Sequence, residues 1–173
     1  GGTFTGVNGV FTASGNITVT GTGAFTFTTG GLVTLDNTSA DQTITSKGSA
    51  FEGLTLNLTS GTAANDDIIL ADALDVNGTL TVTNGEVDAN TNNPTITLGG
   101  NLSIGASGSW LKGTGTLTFD GAAQTWTDSA TQDIGNVIVA SGTSLTALST
   151  ITMSDLTINA GKTLTDGGTA RTV

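Results

Sequence analysis

The sequence predicts an all-β fold, a single-domain parallel β-helix (β-solenoid) of about eight turns of some 20 residues, three-sided and right-handed. Three observations carry that prediction. An apolar-polar-apolar triplet returns along the chain at Ile17-Thr18-Val19, Val33-Thr34-Leu35, Leu54-Thr55-Leu56, Leu74-Asp75-Val76, Ile96-Thr97-Leu98, Leu117-Thr118-Phe119, Val137-Ile138-Val139 and Leu156-Thr157-Ile158, with starts spaced by 16, 21, 20, 22, 21, 20 and 19. The composition is that of strands and corners: Thr-rich, with 26 Gly, one Pro and 10% charged residues in 173. No stretch shows the 3.6-residue apolar period of a helix.

Taken in order, residues 1–15 read as an extended segment, 16–165 as the stacked turns and 166–173 as a tail. Neither end carries a capping pattern, and open terminal turns present strand edges that template association. Each lead triplet is expected to put its two apolar residues in the core. This gives a core register of Leu54, Leu56, Leu74, Val76, Ile96, Leu98, Leu117, Phe119, Val137, Val139, Leu156 and Ile158. A second strand follows each triplet, with one inward apolar residue between two outward polar ones: Thr26-Phe27-Thr28, Thr43-Ile44-Thr45, Thr79-Leu80-Thr81, Asn101-Leu102-Ser103, Thr125-Trp126-Thr127, Ser144-Leu145-Thr146 and Thr163-Leu164-Thr165. A third position is less regular, with Ile68-Ile69-Leu70, Val87, Trp110-Leu111 and Ile151-Thr152-Met153.

Corners follow the lead triplets at Thr20, Asp36, Asn57, Asn77, Gly99, Asp120, Ala140 and Asn159, residue types mostly suited to sharp bends. Asn57 and Asn77 are expected one turn apart, as rungs of an amide ladder. A longer repeat overlies the short one: Ala40-Asp41-Gln42-Thr43 returns as Ala122-Ala123-Gln124-Thr125, and Leu74-Asp75-Val76-Asn77 as Leu156-Thr157-Ile158-Asn159, both at an offset of 82. Four turns of about 20.5 residues account for that offset.

Gly115-Thr116-Leu117-Thr118-Phe119-Asp120-Gly121, with Gln124-Thr125 and then Leu156-Thr157-Ile158-Asn159, resembles the tandem β-solenoid modules of large bacterial surface proteins and adhesins, over residues 25–165. The resemblance implies an extracellular or cell-surface structural role and supplies no catalytic residues.

Chemistry has few parts to work with. The chain has no His, Cys or Tyr, which removes a Ser-His-Asp triad and leaves carboxylates, hydroxyls, Lys47, Lys112, Lys162 and Arg171. The cations are scattered over different turns, and no long loop walls a cleft between paired carboxylates, so the chain is not expected to be an enzyme. The densest acidic zone is Asp66, Asp67, Asp72, Asp75, Glu86 and Asp88. Asp67, Glu86 and Asp88 are the candidate Ca²⁺ ligands, set against a solvated acidic face in which Lys112 pairs with Asp88. Trp110 and Trp126 are sugar-stacking residues if exposed and core residues if, as the register indicates, they point inward. Sequons stand at Asn16, Asn37, Asn57, Asn77 and Asn101.

The functional expectation is an extracellular structural β-solenoid, a filament subunit or adhesin stalk module that stacks end to end on copies of itself or on flanking modules. Its net charge of −10 disfavours nucleic acid, and no apolar run is long enough to span a bilayer. The alternative is a binding face built from Thr43, Thr45, Thr79, Thr81, Thr125, Thr127, Thr163 and Thr165, taking ice or a surface glycan.

Overall fold

A computed structural model of the chain describes residues 3–6, 8–27, 29–60, 66–140, 142 and 144–168. Val7, Thr28, and Arg171 with the rest of 169–173 lie outside the described residues. Within them the chain is all-β, and every strand pairing is parallel. The chain coils as a three-sided solenoid of about seven turns.

Each turn lays one strand on each of three faces. The first turn has β1 (Thr3–Gly6), β2 (Val10–Ala13) and β3 (Ile17–Thr18); the second β4 (Ala24–Phe27), β5 (Leu32–Leu35) and β6 (Gln42–Thr45); the third β7 (Ala50–Phe51), β8 (Leu54–Asn57) and β9 (Asp67–Leu70). The fourth and fifth turns open with β10 (Leu74–Val76) and β12 (Ile96–Leu98). Their long strands β11 (Leu80–Asp88) and β13 (Leu102–Leu111) then run round a corner and serve both remaining faces. β14 (Thr116–Phe119) and β15 (Ala123–Asp128) begin the sixth turn and β16 (Asn136–Val139) and β17 (Ser144–Ala147) the seventh, whose third sides meet at a single Asp133–Thr152 bridge. β18 (Asp155–Ile158) and β19 (Leu164–Asp166) start an eighth.

The first face is the ladder β7-β10-β12-β14-β16-β18, preceded by the β1–β4 pair. β4 is tied to the next turn by Phe25 N–H donating to Ser49 Oγ at 3.1 Å. The second face is β2-β5-β8-β11-β13-β15-β17-β19, and the third is β3-β6-β9 continuing into the far halves of β11 and β13. Period-two alternation sends Leu54, Leu56, Leu74, Val76, Ile96, Leu98, Leu117, Phe119, Val137 and Val139 into one continuous core. Each such side chain contributes about 1.5–3 kcal/mol relative to exposure. Corners are tight enough that the chain passes close over the turn below. A Cβ at Gly78 would meet the Glu52 carbonyl, and one at Gly85, where φ is +90° and β11 bulges, would lie 2.7 Å from Asp66 O.

Three expectations are corrected. The lead triplets do not form one column: Val33-Thr34-Leu35 and Leu54-Thr55-Leu56 stack beneath Leu80-Thr81-Val82 on the second face, whereas Leu74-Asp75-Val76 and its successors build the first face. More chain separates β8 from β9 than separates most neighbouring strands, so a near-constant triplet spacing advances the chain by only two faces there. This missing side is one reason eight triplets yield about seven turns. Asn57 accordingly pairs in register with Asn84, and Asn77 Nδ2 donates to Glu52 Oε1 at 2.9 Å, so the two asparagines form no common ladder. Leu156 and Ile158 are 37% and 42% exposed, because β18 belongs to the incomplete eighth turn and no described turn covers it.

Candidate functional site

Among the described residues the surface offers three arrangements of side chains and two apolar ends. On the second face, Thr12, Thr34, Thr55, Thr81, Ser103 and Thr127 stand in register on six successive turns and form one outward hydroxyl column. Thr125, Thr146 and Thr165 continue a second column two residues back, where Thr146 Oγ1 and Thr165 Oγ1 are 3.1 Å apart. Asn101 sits beneath Thr125 and accepts its N–H on Oδ1 at 2.8 Å. Of the Thr-x-Thr residues expected to share a face, Thr79, Thr81, Thr125, Thr127, Thr163 and Thr165 do so. Thr43 and Thr45 lie on β6 of the third face, with Thr43 level with Ile69. They are separated from the others by the same slip that divides the lead triplets.

The third face carries the acidic column. Asp67 is in register with Glu86 one turn on and takes Asp41 Oδ1 from the turn below, to which its own N–H donates at 3.1 Å. Burial, followed by the charges of Asp41, Glu86, Asp66 and Asp88, pushes the Asp67 carboxyl up to about 6. Asp88 does not join them. It is 5% exposed, because β11 ends by turning its last side chain inward, where Asp88 accepts the Asn90 and Thr91 N–H groups, each at 2.9 Å, and the Thr91 hydroxyl. Burial pushes that carboxyl up, but these three bonds outweigh it and hold it below the usual carboxylate range. Asp67, Glu86 and Asp88 therefore do not converge, and among the described residues no group of three acidic side chains is placed to hold a metal ion.

Lys112 pairs with Asp133 rather than with Asp88, and its Nζ also donates to Ser154 Oγ at 2.7 Å. A lysine beside a serine hydroxyl invites comparison with a base–nucleophile pair. Here, however, the ammonium is an ion-paired donor to both partners, on an exposed corner. Partial burial pushes Asp133 up, but its bonds from Lys112 and the Gly135 N–H, with the Lys112 charge, hold it low. The cluster cross-links the fifth, sixth and seventh turns. Trp110 and Trp126 are 6% and 0% exposed, so neither offers a stacking platform for a sugar, and their Nε1 groups are buried without a hydrogen-bond partner.

The ends differ from the sides. At the first turn Phe4, Phe11, Phe25 and Phe27 form a ring cluster, with Phe4 and Phe25 stacked at 5.0 Å, and an open hollow of about 420 Å³ lies against Phe4, Val19 and Phe25. At the last turns Leu148, Leu156 and Ile158 are exposed.

Two glutamines were not singled out by sequence reasoning. Gln42 is fully buried: its Nε2 donates to Ala13 O at 2.9 Å and Gly15 O at 2.6 Å, and its Oε1 accepts Asn37 N–H at 3.2 Å. Gln124 repeats this with Leu98 O at 2.8 Å, Gly100 O, and Gly121 N–H at 2.8 Å. The recurrence of Gln-Thr at an offset of 82 was the available signal.

The fold defines a parallel β-solenoid whose polar clusters tie adjacent turns together. No protein family matches the chain, and no curated protein or solved structure matches it.

Proposed function

We propose that the chain is an extracellular structural β-solenoid, a surface-filament subunit or adhesin stalk module lengthened by end-to-end stacking of open turns. The observation that carries this reading is where the apolar surface lies. Phe4 and Val10 in the first turn are 42% and 67% exposed, and Leu148, Leu156 and Ile158 in the last turns are 47%, 37% and 42% exposed. Among the described large hydrophobic residues Leu111 alone is comparably exposed on the sides. The terminal strands are also paired on one side only, which leaves backbone donors and acceptors to template a further strand. The partner that satisfies both features is another solenoid turn, from a second copy or from a flanking part of the same polypeptide.

A cell-surface setting is compatible with a charge of −10, which repels nucleic acid and anionic lipid. The experiment is negative-stain microscopy with light scattering over a concentration series. Chains or filaments are expected, and the double variant Leu156→Lys/Ile158→Lys is expected to shorten them while leaving the circular dichroism spectrum unchanged. A protein that stays monomeric at millimolar concentration overturns stacking between copies.

A further inference from the structure

The protein carries fourteen acidic and four basic residues, yet among the described residues no strand of the second face places a charged side chain at an outward-phase position. Among the described residues the acidic strand residues on that face are Asp128, buried level with Ile104, and Asp166, which stands level with Ala147 but is exposed at the open last turn. The first face, by contrast, shows Asp75 and Asp155, and the third Asp67 and Glu86. An uncharged face on so acidic a molecule, bearing hydroxyls in register over six turns, is the feature that stacking does not use.

The geometry points to this face as an ice-binding surface. Its hydroxyls repeat at about 4.8 Å along a column and about 6.6 Å between columns, close to the oxygen repeats of hexagonal ice along its two axes. Thr is stiff at χ1, so the hydroxyls and methyls are held in place before contact. In the second column Thr146 Oγ1 and Thr165 Oγ1 are 3.1 Å apart and Thr165 Oγ1 also donates to Leu145 O at 3.3 Å, bonds that fix the rotamers and leave Oγ1 lone pairs for water. Charged groups, which organise their own hydration shells against a neutral lattice, are absent from the hydroxyl columns.

Other occupants fit less well. Both Trp residues are buried, so the face offers no aromatic platform for sugars. The patch, six strands of about 4.8 Å spacing by a few residues of about 3.3 Å, falls well short of the roughly 800 Å² per side of a stable protein interface. A growing crystal needs only a small patch, because the advancing front is pinned wherever the patch sits.

The test is ice recrystallisation and thermal hysteresis with the whole chain, beside Thr81→Lys/Thr127→Lys on this face and Thr97→Lys/Thr118→Lys on the first face, all checked by circular dichroism. Wild type and the first-face variant are expected to inhibit ice growth, and the second-face variant to need about tenfold more protein. Should Thr81→Lys/Thr127→Lys misfold, Thr81→Val/Thr127→Val replaces it, with a smaller loss in the same direction. Wild-type activity no greater than that of an inert protein overturns the proposal. So does equal loss in both Lys variants, or co-sedimentation with microcrystalline cellulose without any effect on ice.

Discussion

At the residue scale, the two buried glutamines show how a solenoid corner is held. A strand that bends leaves carbonyls of the turn below without ladder partners, and a buried unpaired carbonyl costs about 1–3 kcal/mol. Gln42 and Gln124 each place one amide nitrogen across two such carbonyls and use the amide oxygen to accept an N–H from the corner residue above. Asn16 and Asn101 complete the device by accepting Thr43 and Thr125 N–H, both at 2.8 Å. Gln124→Ala is therefore expected to lower stability by roughly 2–4 kcal/mol, combining lost packing with orphaned carbonyls, as measured by urea denaturation. Gln124→Glu brings a carboxylate oxygen against Leu98 O and is expected to cost at least as much. A value near zero for either would mean that water fills the amide's place.

At the element scale, β6, β9 and β11 bring Asp41, Asp67 and Glu86 into one outward column, with Asp66 and Asp88 beside it. Asp67, raised from 3.8 to about 6, has a folded-state value above its unfolded one. Its contribution is fully present below pH 4 and is lost as pH rises through 6, because above that range the folded state must hold the extra negative charge. The melting temperature is expected to be higher near pH 5 than near pH 7.5, and Asp67→Asn to flatten that difference; an unchanged pH slope in the variant would mean that other carboxyls set it. The element scale is also where the sequence was legible and where it was not. Triplets such as Leu117-Thr118-Phe119 announce strand, inward pair and outward hydroxyl, because alternation on a half-buried strand is a local property. Which face a strand occupies is not local. Leu54-Thr55-Leu56 and Leu74-Asp75-Val76 look alike and follow one another in the series, yet the length of chain between β8 and β9 sends them to different sheets. The hydroxyl face was half-read for the same reason: its Thr-x-Thr pairs are visible, but Thr12, Thr34 and Thr55, which extend it, sit inside lead triplets or outside any pair. Asp88 misled because a strand's last residue obeys the corner and not the alternation.

At the scale of the whole molecule, stability is a sum over turns and their contacts with the turn on either side, with no centre that every residue touches. Leu117, 2% exposed between Ile96 and Val137, is a test of that coupling. Leu117→Asp strands a charge in the middle of the stack and is expected to cost about 3–5 kcal/mol. Amide exchange should rise together in β12, β14 and β16 while β5 and β8 stay protected; uniform loss across the chain would show a single cooperative unit instead. The slip between the two halves has a different consequence. Gln42-Thr43 lies on the third face of the second turn and Gln124-Thr125 on the second face of the sixth, three turns and two sides apart, whereas Leu74-Asp75-Val76 and Leu156-Thr157-Ile158, at the same offset of 82, lie on one face four turns apart. The two glutamine corners are therefore about 18 Å apart along the axis and point a third of a circle away from each other, while the two triplets keep one bearing. A ligand or antibody that docks on one glutamine corner from the north finds its twin facing a different compass bearing.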